Sequence, residues 1–152
     1  MTLLVTRATT PEEKESHIAL RFQVFIDEHG FDAADEVDAY DTRDTTVHFL
    51  GKDIEQDKYV AVARVLMDAS VRKAKIGRVA VLSECRGKGY GVALMAGIEQ
   101  SVVDEVDTFA LSSQYHRKGF YEKCGYSCIN DDIYVERDIK HCMMTKPAVQ
   151  LD

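Results

Sequence analysis

The chain has 152 residues, 45% of them apolar and 30% charged, and a net charge of −7. That is enough chain for one domain, spanning 1–152, with a real core, which sets aside intrinsic disorder. The acidic balance argues against broad nucleic-acid binding, which depends on Lys and Arg neutralising phosphates. No apolar run approaches the ~20 residues that a membrane helix needs. The opening Met1 to Arg7 is too short and too polar for a signal peptide, so a cytoplasmic location is expected. Cys85, Cys124, Cys128 and Cys142 form no CxxC pair, and no histidine lies at finger-like spacing, so reduced thiols and no metal site are expected.

Taken in order, Leu3 to Arg7 reads as a strand. Thr10-Pro11-Glu12-Glu13 reads as a helix start, with Thr as cap, Pro at the first helical position and Glu three residues after the cap. The helix that follows carries Ile18, Phe22, Phe25 and Ile26 at helical spacing, which places Glu15, His17 and Arg21 off its buried stripe. From Asp27 to Asp44 the chain holds eight carboxylates against one Arg. This segment is long for an irregular stretch in a compact domain. It reads either as a solvated acidic loop or as the lining of a site for a cationic molecule, with a short helix around Ala33 to Val37. Val47 to Gly51 and Tyr59 to Met67 read as strands joined by a polar hairpin loop. Lys73 to Val81 is the next strand. A helix runs from the glycine turn to about Val103, with Leu94, Met95, Ile98 and Val102 on one face. Thr108 to Ser113 is a strand, and a short helix from His116 to Lys123 stops at Gly125. Tyr126 to Ile129 is a strand, Asn130 to Asp132 turns the chain, and Ile139 to Met144 is the last strand. The order β-α-β-β-β-α-β-α-β-β gives an α/β (α+β) mixed sheet, mostly antiparallel and flanked by helices.

The most specific stretch is Arg86-Gly87-Lys88-Gly89-Tyr90-Gly91, a basic glycine-rich turn between a strand and a helix. Helix starts expose unpaired N–H groups and partial positive charge, and glycines let an anion approach the backbone. The turn suits a phosphate or pyrophosphate. It is not a P-loop, because the spacing and the metal-binding hydroxyl are missing. Nor is it the dinucleotide fingerprint, because the glycines fall as G-x-G-x-G. Its pattern is R-x-x-G-x-G. Cys85, beside the turn, could have a lowered thiol pKa, though a catalytic thiol is the lesser reading.

In this pattern the chain resembles the GCN5-related N-acetyltransferases (GNAT), which grip the pyrophosphate of acetyl-CoA with such a turn. A second motif of that family, N-x-x-A-x-x-x-Y-x-x-x-G-F, is matched in spacing by Gln114, Arg117, Tyr121, Gly125 and Tyr126. The Tyr and the Gly agree, while Gln, Arg and Tyr replace Asn, Ala and Phe. The phrases Arg21 to His29, Gly77 to Val81 and Phe120 to Tyr126 are similar to those of the small bacterial ElaA- and YjcF-type acetyltransferases. The resemblance implies a six- to seven-stranded sheet that splays open between the strand before the glycine turn and the strand at Thr108. The acyl-CoA arm would enter that opening. Val79, Ala80 and Val81 would pair with the pantetheine amides. Arg86 and the backbone of Gly87, Lys88, Gly89, Tyr90, Gly91 and Val92 would hold the pyrophosphate, with Gln114 and Tyr121 also near the cofactor. Dimerisation is common among similar proteins, so a homodimer stays open.

Acetyl transfer to an amine requires a neutral amine beside the thioester, donors for the tetrahedral oxyanion and a proton for the leaving thiolate. Tyr121 is the expected proton donor. The candidates for the base are Glu28, from the subfamily phrase, and His141 on the last strand, with His48, Asp38 and Asp41 behind them. The expected activity is direct transfer from acetyl-CoA, through a ternary complex, to a primary amine of a small molecule or protein, most simply a cationic one. The alternative is a module that binds acyl-CoA without turning it over.

Overall fold

The computed structural model describes residues 2–149, the side chain of Asp131 excepted. The outermost residues of the expected 1–152 domain, residue 1 and residues 150–152, lie outside the described part.

Seven strands form one sheet: β1 (Leu3–Arg7), β2 (Thr46–Asp53), β3 (Lys58–Asp68), β4 (Lys73–Val81), β5 (Thr108–Gln114), β6 (Ser127–Glu136) and β7 (Ile139–Pro147). Their spatial order is β1-β2-β3-β4-β5-β7-β6. Only β4 and β5 run parallel, as the helical crossover between them requires. That helix, α3, covers Tyr90–Val102. The others are α1 (Pro11–Arg21), α2 (Ala33–Glu36) and α4 (Lys118–Lys123).

The register shows which helix covers which face. Val5 of β1 lies opposite Gly51 of β2, and a Cβ on Gly97 of α3 would fall 2.5 Å from Val5. So α3 packs on the face that holds Val5 and Gly51. His48, odd-numbered steps away along β2, points to the other face and meets His17 of α1 edge-on at 4.8 Å. The core between these layers includes Phe49, Leu50, Val62, Leu94, Ile98 and Phe109.

The start of α1 is closed by its own residues. The Glu13 N–H donates to Thr10 Oγ1 and the Thr10 N–H to the Glu13 carboxylate, at 3.1 and 3.0 Å. The buried stripe of this helix corrects the sequence expectation, for it includes His17, Leu20 and Arg21, and continues to Val24. His17 and Arg21 can be interior because each has partners supplied by distant residues. The helix then widens to a π-helix over Phe22–Glu28, a form that often marks functional regions.

The second correction concerns the last hairpin. Asn130 to Asp132 do not end a strand but form an irregularity inside β6, where the register breaks between Cys128 and Ile133. Asn130 takes a left-handed φ of 48° there. The chain reverses at Arg137 and Asp138, with φ of 52° and 64°, the double left-handed geometry of a tight hairpin turn.

Candidate active site

β4 and β5 are paired only from Lys73–Ile76 to Thr108–Leu111. Beyond that point β4 bulges. Val62 stands opposite Ala80 and Arg64 opposite Gly77, so Arg78 and Val79 share the span of a single β3 residue. Arg78 adopts a left-handed φ of 52°, costly for a residue with a Cβ. The two strands part, and a cleft of about 590 Å³ opens between them. Gly77, Arg78 and Val79 form one wall, with Ser112, Gln114 and Tyr121 opposite. Over the top, the Arg137 guanidinium lies 5.4 Å from the ring centre of Phe31. The tip of the β6–β7 hairpin thus reaches across to the segment after α1.

At one end of the opening lies the glycine turn. Gly87 and Gly89 have φ of 78° and 84°, and Gly89 is the N-cap of α3 with no side chain capping it. The contrast with the closed start of α1 is direct: the first N–H groups of α3 are left for a ligand. Tyr90 pins the turn to the sheet. Its hydroxyl donates to the Asp53 carboxylate, which also accepts from the Gln56 side chain at 3.0 Å. The Asp53 bond, aided by desolvation, raises the Tyr90 phenol to about 12. Gly91 permits close packing, since a Cβ there would sit 2.9 Å from the Phe120 ring. On the side facing β5, the stretch Val79 to Val81 has no partner strand. A free strand edge leading to an uncapped glycine turn is a fit for an amide-bearing arm that ends in a pyrophosphate. Cys85 is buried at 2% exposure, a core residue and not a reactive thiol.

Arg86 donates from Nε to the Val81 carbonyl at 3.0 Å and from Nη2 to Glu28 Oε2 at 2.8 Å, with Nη1 on the other Glu28 oxygen. The Arg86 hydrogen bonds hold the Glu28 carboxyl below its ordinary value. Glu28 lies outside the cleft lining. Both of its oxygens are bonded to a guanidinium beside the glycine turn.

His141 and Tyr121 do line the cleft. The ladder puts His141 between Gln114 on β5 and Tyr134 on β6. Its Nδ1 lies 2.8 Å from the Ile139 carbonyl. A carbonyl can only accept, so Nδ1 is the donor, and in the neutral ring Nε2 is the nitrogen that carries the lone pair. The ring stacks on Tyr134 at 5.8 Å and 18°. The Tyr134 hydroxyl is hydrogen-bonded to Ser112. Tyr121 packs edge-on against Phe120 at 5.0 Å. Burial raises its phenol to about 12, so it stays protonated through the physiological range. The remaining base candidates are occupied. His48 Nε2 meets Asp41 at 3.0 Å, and Asp38 takes a two-pronged bond from Arg64 at 2.7 and 2.9 Å.

Half of the acidic segment's carboxylates, Glu28, Glu36, Asp38 and Asp41, are paired with arginines. Arg21, fully buried, donates to Glu36 at 2.9 Å and to Asp41 at 2.7 Å. Arg78 joins Glu36 at 2.9 Å. Burial alone would raise the Asp41 carboxyl. The bonds from His48 and Arg21 outweigh it, and Asp41 sits far below the usual range. Glu36, Asp38 and Asp41 are tied to Arg21, Arg64 and Arg78, and Asp35 lines the cleft beside them. α2 falls where a short helix was expected.

Sequence reasoning missed Arg64, Ser112 and Tyr134. Arg64 had a signal, since a lone charge within the apolar run Tyr59 to Met67 implies a buried partner. Ser112 and Tyr134 had none, because only the strand register brings them together.

The profile of the acetyltransferase (GNAT) domain matches residues 25–148. Over 144 residues the chain is 30% identical to the Bacillus subtilis protein YyaT, covering 93% of this chain and 94% of YyaT. It is 27% identical over 140 residues to the B. subtilis N-acetyltransferase YjcF, covering 91% and 96% of the two chains. The crystal structure of Escherichia coli ElaA superposes with a TM-score of 0.81 at 24% identity, covering 95% of this chain and 99% of ElaA. With its splayed sheet, its glycine turn and a domain profile that matches most of its length, the chain belongs to the GNAT family of acetyltransferases.

Proposed function

We propose that this enzyme transfers acetyl from acetyl-CoA directly to an amine, with both substrates meeting in the cleft between β4 and β5. The observation that carries the reading is continuity: the uncapped turn at Gly89 leads along the free edge at Val79 to Val81 into a cleft that holds Tyr121 and His141. The bound acetyl-CoA supplies the activated acyl carbon. Arg86 and the backbone from Gly87 to Val92 hold its phosphates, the edge at Val79, Ala80 and Val81 accepts its amide arm, and Gln114 sits beside that arm.

His141 Nε2 takes a proton from the incoming ammonium, which leaves a neutral nitrogen able to attack. Tyr121 donates its hydroxyl proton toward the sulfur as the carbon–sulfur bond breaks, and the amine's remaining surplus proton restores the phenol. The products are the amide and free CoA thiol. Glu28 orients Arg86 at the phosphate end and takes no part in proton transfer.

Release of CoA thiol from acetyl-CoA in the presence of an amine panel tests the reading. Amine-dependent release is expected. A rise in melting temperature with acetyl-CoA, but no release with any amine, would identify a binding module instead.

A further inference from the structure

The acceptor end of the cleft does not stop at the cleft. A second groove of about 530 Å³ continues from it along β3 and β4, sharing Tyr40, Leu66 and Lys75 with the cleft lining. Alternation explains the continuity. Lys73 and Lys75 are on the same face of β4, and they stand opposite Asp68 and Leu66 of β3. Arg43 completes the rim, its guanidinium 4.2 Å from the ring centre of Tyr40.

The charge of this groove is unlike that of the molecule. The chain carries −7 overall, yet the groove is lined by Arg43, Lys73 and Lys75 against one carboxylate, Asp68. Asp68 is already held by Ser70, whose hydroxyl donates to it at 2.6 Å and whose N–H donates at 3.1 Å. None of the three cations has an ion-pair partner among the described residues, whereas Arg21, Arg64 and Arg78 deeper in the same wall all do. The inner cations are therefore spent on the fold, whereas of the outer three only Lys73 faces a carboxylate, Asp68 across the ladder, which leaves the groove with an excess of positive charge.

We propose that the acceptor is an amine that also carries an anion, a carboxylate or a phosphate, and that this anion lies on Arg43, Lys73 and Lys75 while the amine reaches His141. Resting on the transfer reading above, the proposal adds a substrate class to it. A polycation would meet like charge on the way in. An amine with an anionic tail would be attracted at a distance and oriented on arrival, both effects weakening with salt.

The test compares matched amines that differ only in the anion. One pair is the tripeptide Gly-Gly-Glu and the amide Gly-Gly-Gln-NH2; another is glucosamine 6-phosphate and glucosamine; spermidine is the polycation. The anionic member of at least one pair should have a kcat/KM ten-fold or more above its neutral partner, and its KM should rise with salt. Which pair responds tells carboxylate from phosphate. In the variant carrying Arg43→Gln, Lys73→Gln and Lys75→Gln the ratio should fall toward one, while a melting-temperature rise with acetyl-CoA shows that the variant is folded. Equal rates within both pairs, or spermidine as the best acceptor, overturns the proposal. Calorimetry on CoA-saturated protein separates the two readings. Tighter binding of an anionic probe than of its neutral partner, lost in the variant, upholds the groove even if no thiol is released. Equal or undetectable binding of all probes in that case overturns it.

Discussion

At the scale of single residues, the proposed transfer rests on two side chains, Tyr121 and His141. Tyr121 has its phenol raised to about 12 by burial. It deprotonates only above that value, so no loss of rate from its ionisation is expected below about pH 10. Tyr121→Phe should lower kcat by ~10²-fold with little change in acetyl-CoA affinity. A wild-type kcat in steady-state assays would return Tyr121 to a packing role. His141 and Glu28 are separated by a pH–rate profile. Since Nδ1 of His141 is bound to the Ile139 carbonyl, the proposed mechanism uses Nε2 as the proton acceptor. His141→Asn should remove the acidic limb and lower kcat/KM by ~10²-fold. Glu28→Gln should keep the limb and alter KM for acetyl-CoA instead, because Glu28 is bonded to Arg86. The reverse pattern would make Glu28 the base.

The elements depend on buried charge more than their sequence pattern suggests. Arg21 ties α1 to Glu36 of α2 and to Asp41, with no exposure to solvent. Breaking such a buried network on one side costs about 3–5 kcal/mol. Arg21→Met should therefore lower stability in urea by about that amount, and an unchanged midpoint would show the network to be dispensable. The same cluster sets an acid sensitivity. Burial lowers the His17 imidazole to about 3, below its unfolded value of about 6.5. The stability it contributes is complete above about pH 6.5 and is lost as pH falls toward 3. At pH 5 the loss is about 2 kcal/mol. Asp41, also lowered, adds a further loss once pH falls below the ordinary Asp value of ~3.9. Melting temperature from pH 7 to 5 should drop by several degrees in the wild type and by less in His17→Gln. A flat profile would mean that His17 is protonated in the folded state.

For the molecule as a whole, the order of elements along the chain and the helix after the glycine turn were legible in the sequence because each rests on local chemistry. The uncapped start of α3 follows from glycine at 87, 89 and 91, and the end of α4 from Gly125 at φ 98°. What escaped depends on residues far apart. Arg21 and His17 looked like surface positions because apolar spacing ignores polar groups with buried partners, and those partners lie at Glu36, Asp41 and the Phe49 carbonyl. The final hairpin was misplaced because Asn130 to Asp132 has turn chemistry, while the true turn at Arg137–Asp138 lacks the expected glycine. Counting carboxylates between Asp27 and Asp44 takes no account of the arginines from α1, β3 and β4 that pair with Glu36, Asp38 and Asp41.

The central claim is that the glycine turn holds acetyl-CoA for transfer in the cleft, and calorimetric titration of acetyl-CoA tests it most directly. Gly89 sits at φ 84° as the uncapped start of α3. Valine there is strained and sets a branched side chain before the phosphate-facing amides, whereas asparagine tolerates the left-handed backbone but still adds a side chain. Both Gly89→Val and Gly89→Asn should lose at least ~100-fold in affinity, about 2.7 kcal/mol, with Gly89→Asn retaining the wild-type melting temperature without ligand. Wild-type affinity for acetyl-CoA in the folded Gly89→Asn protein would contradict the account.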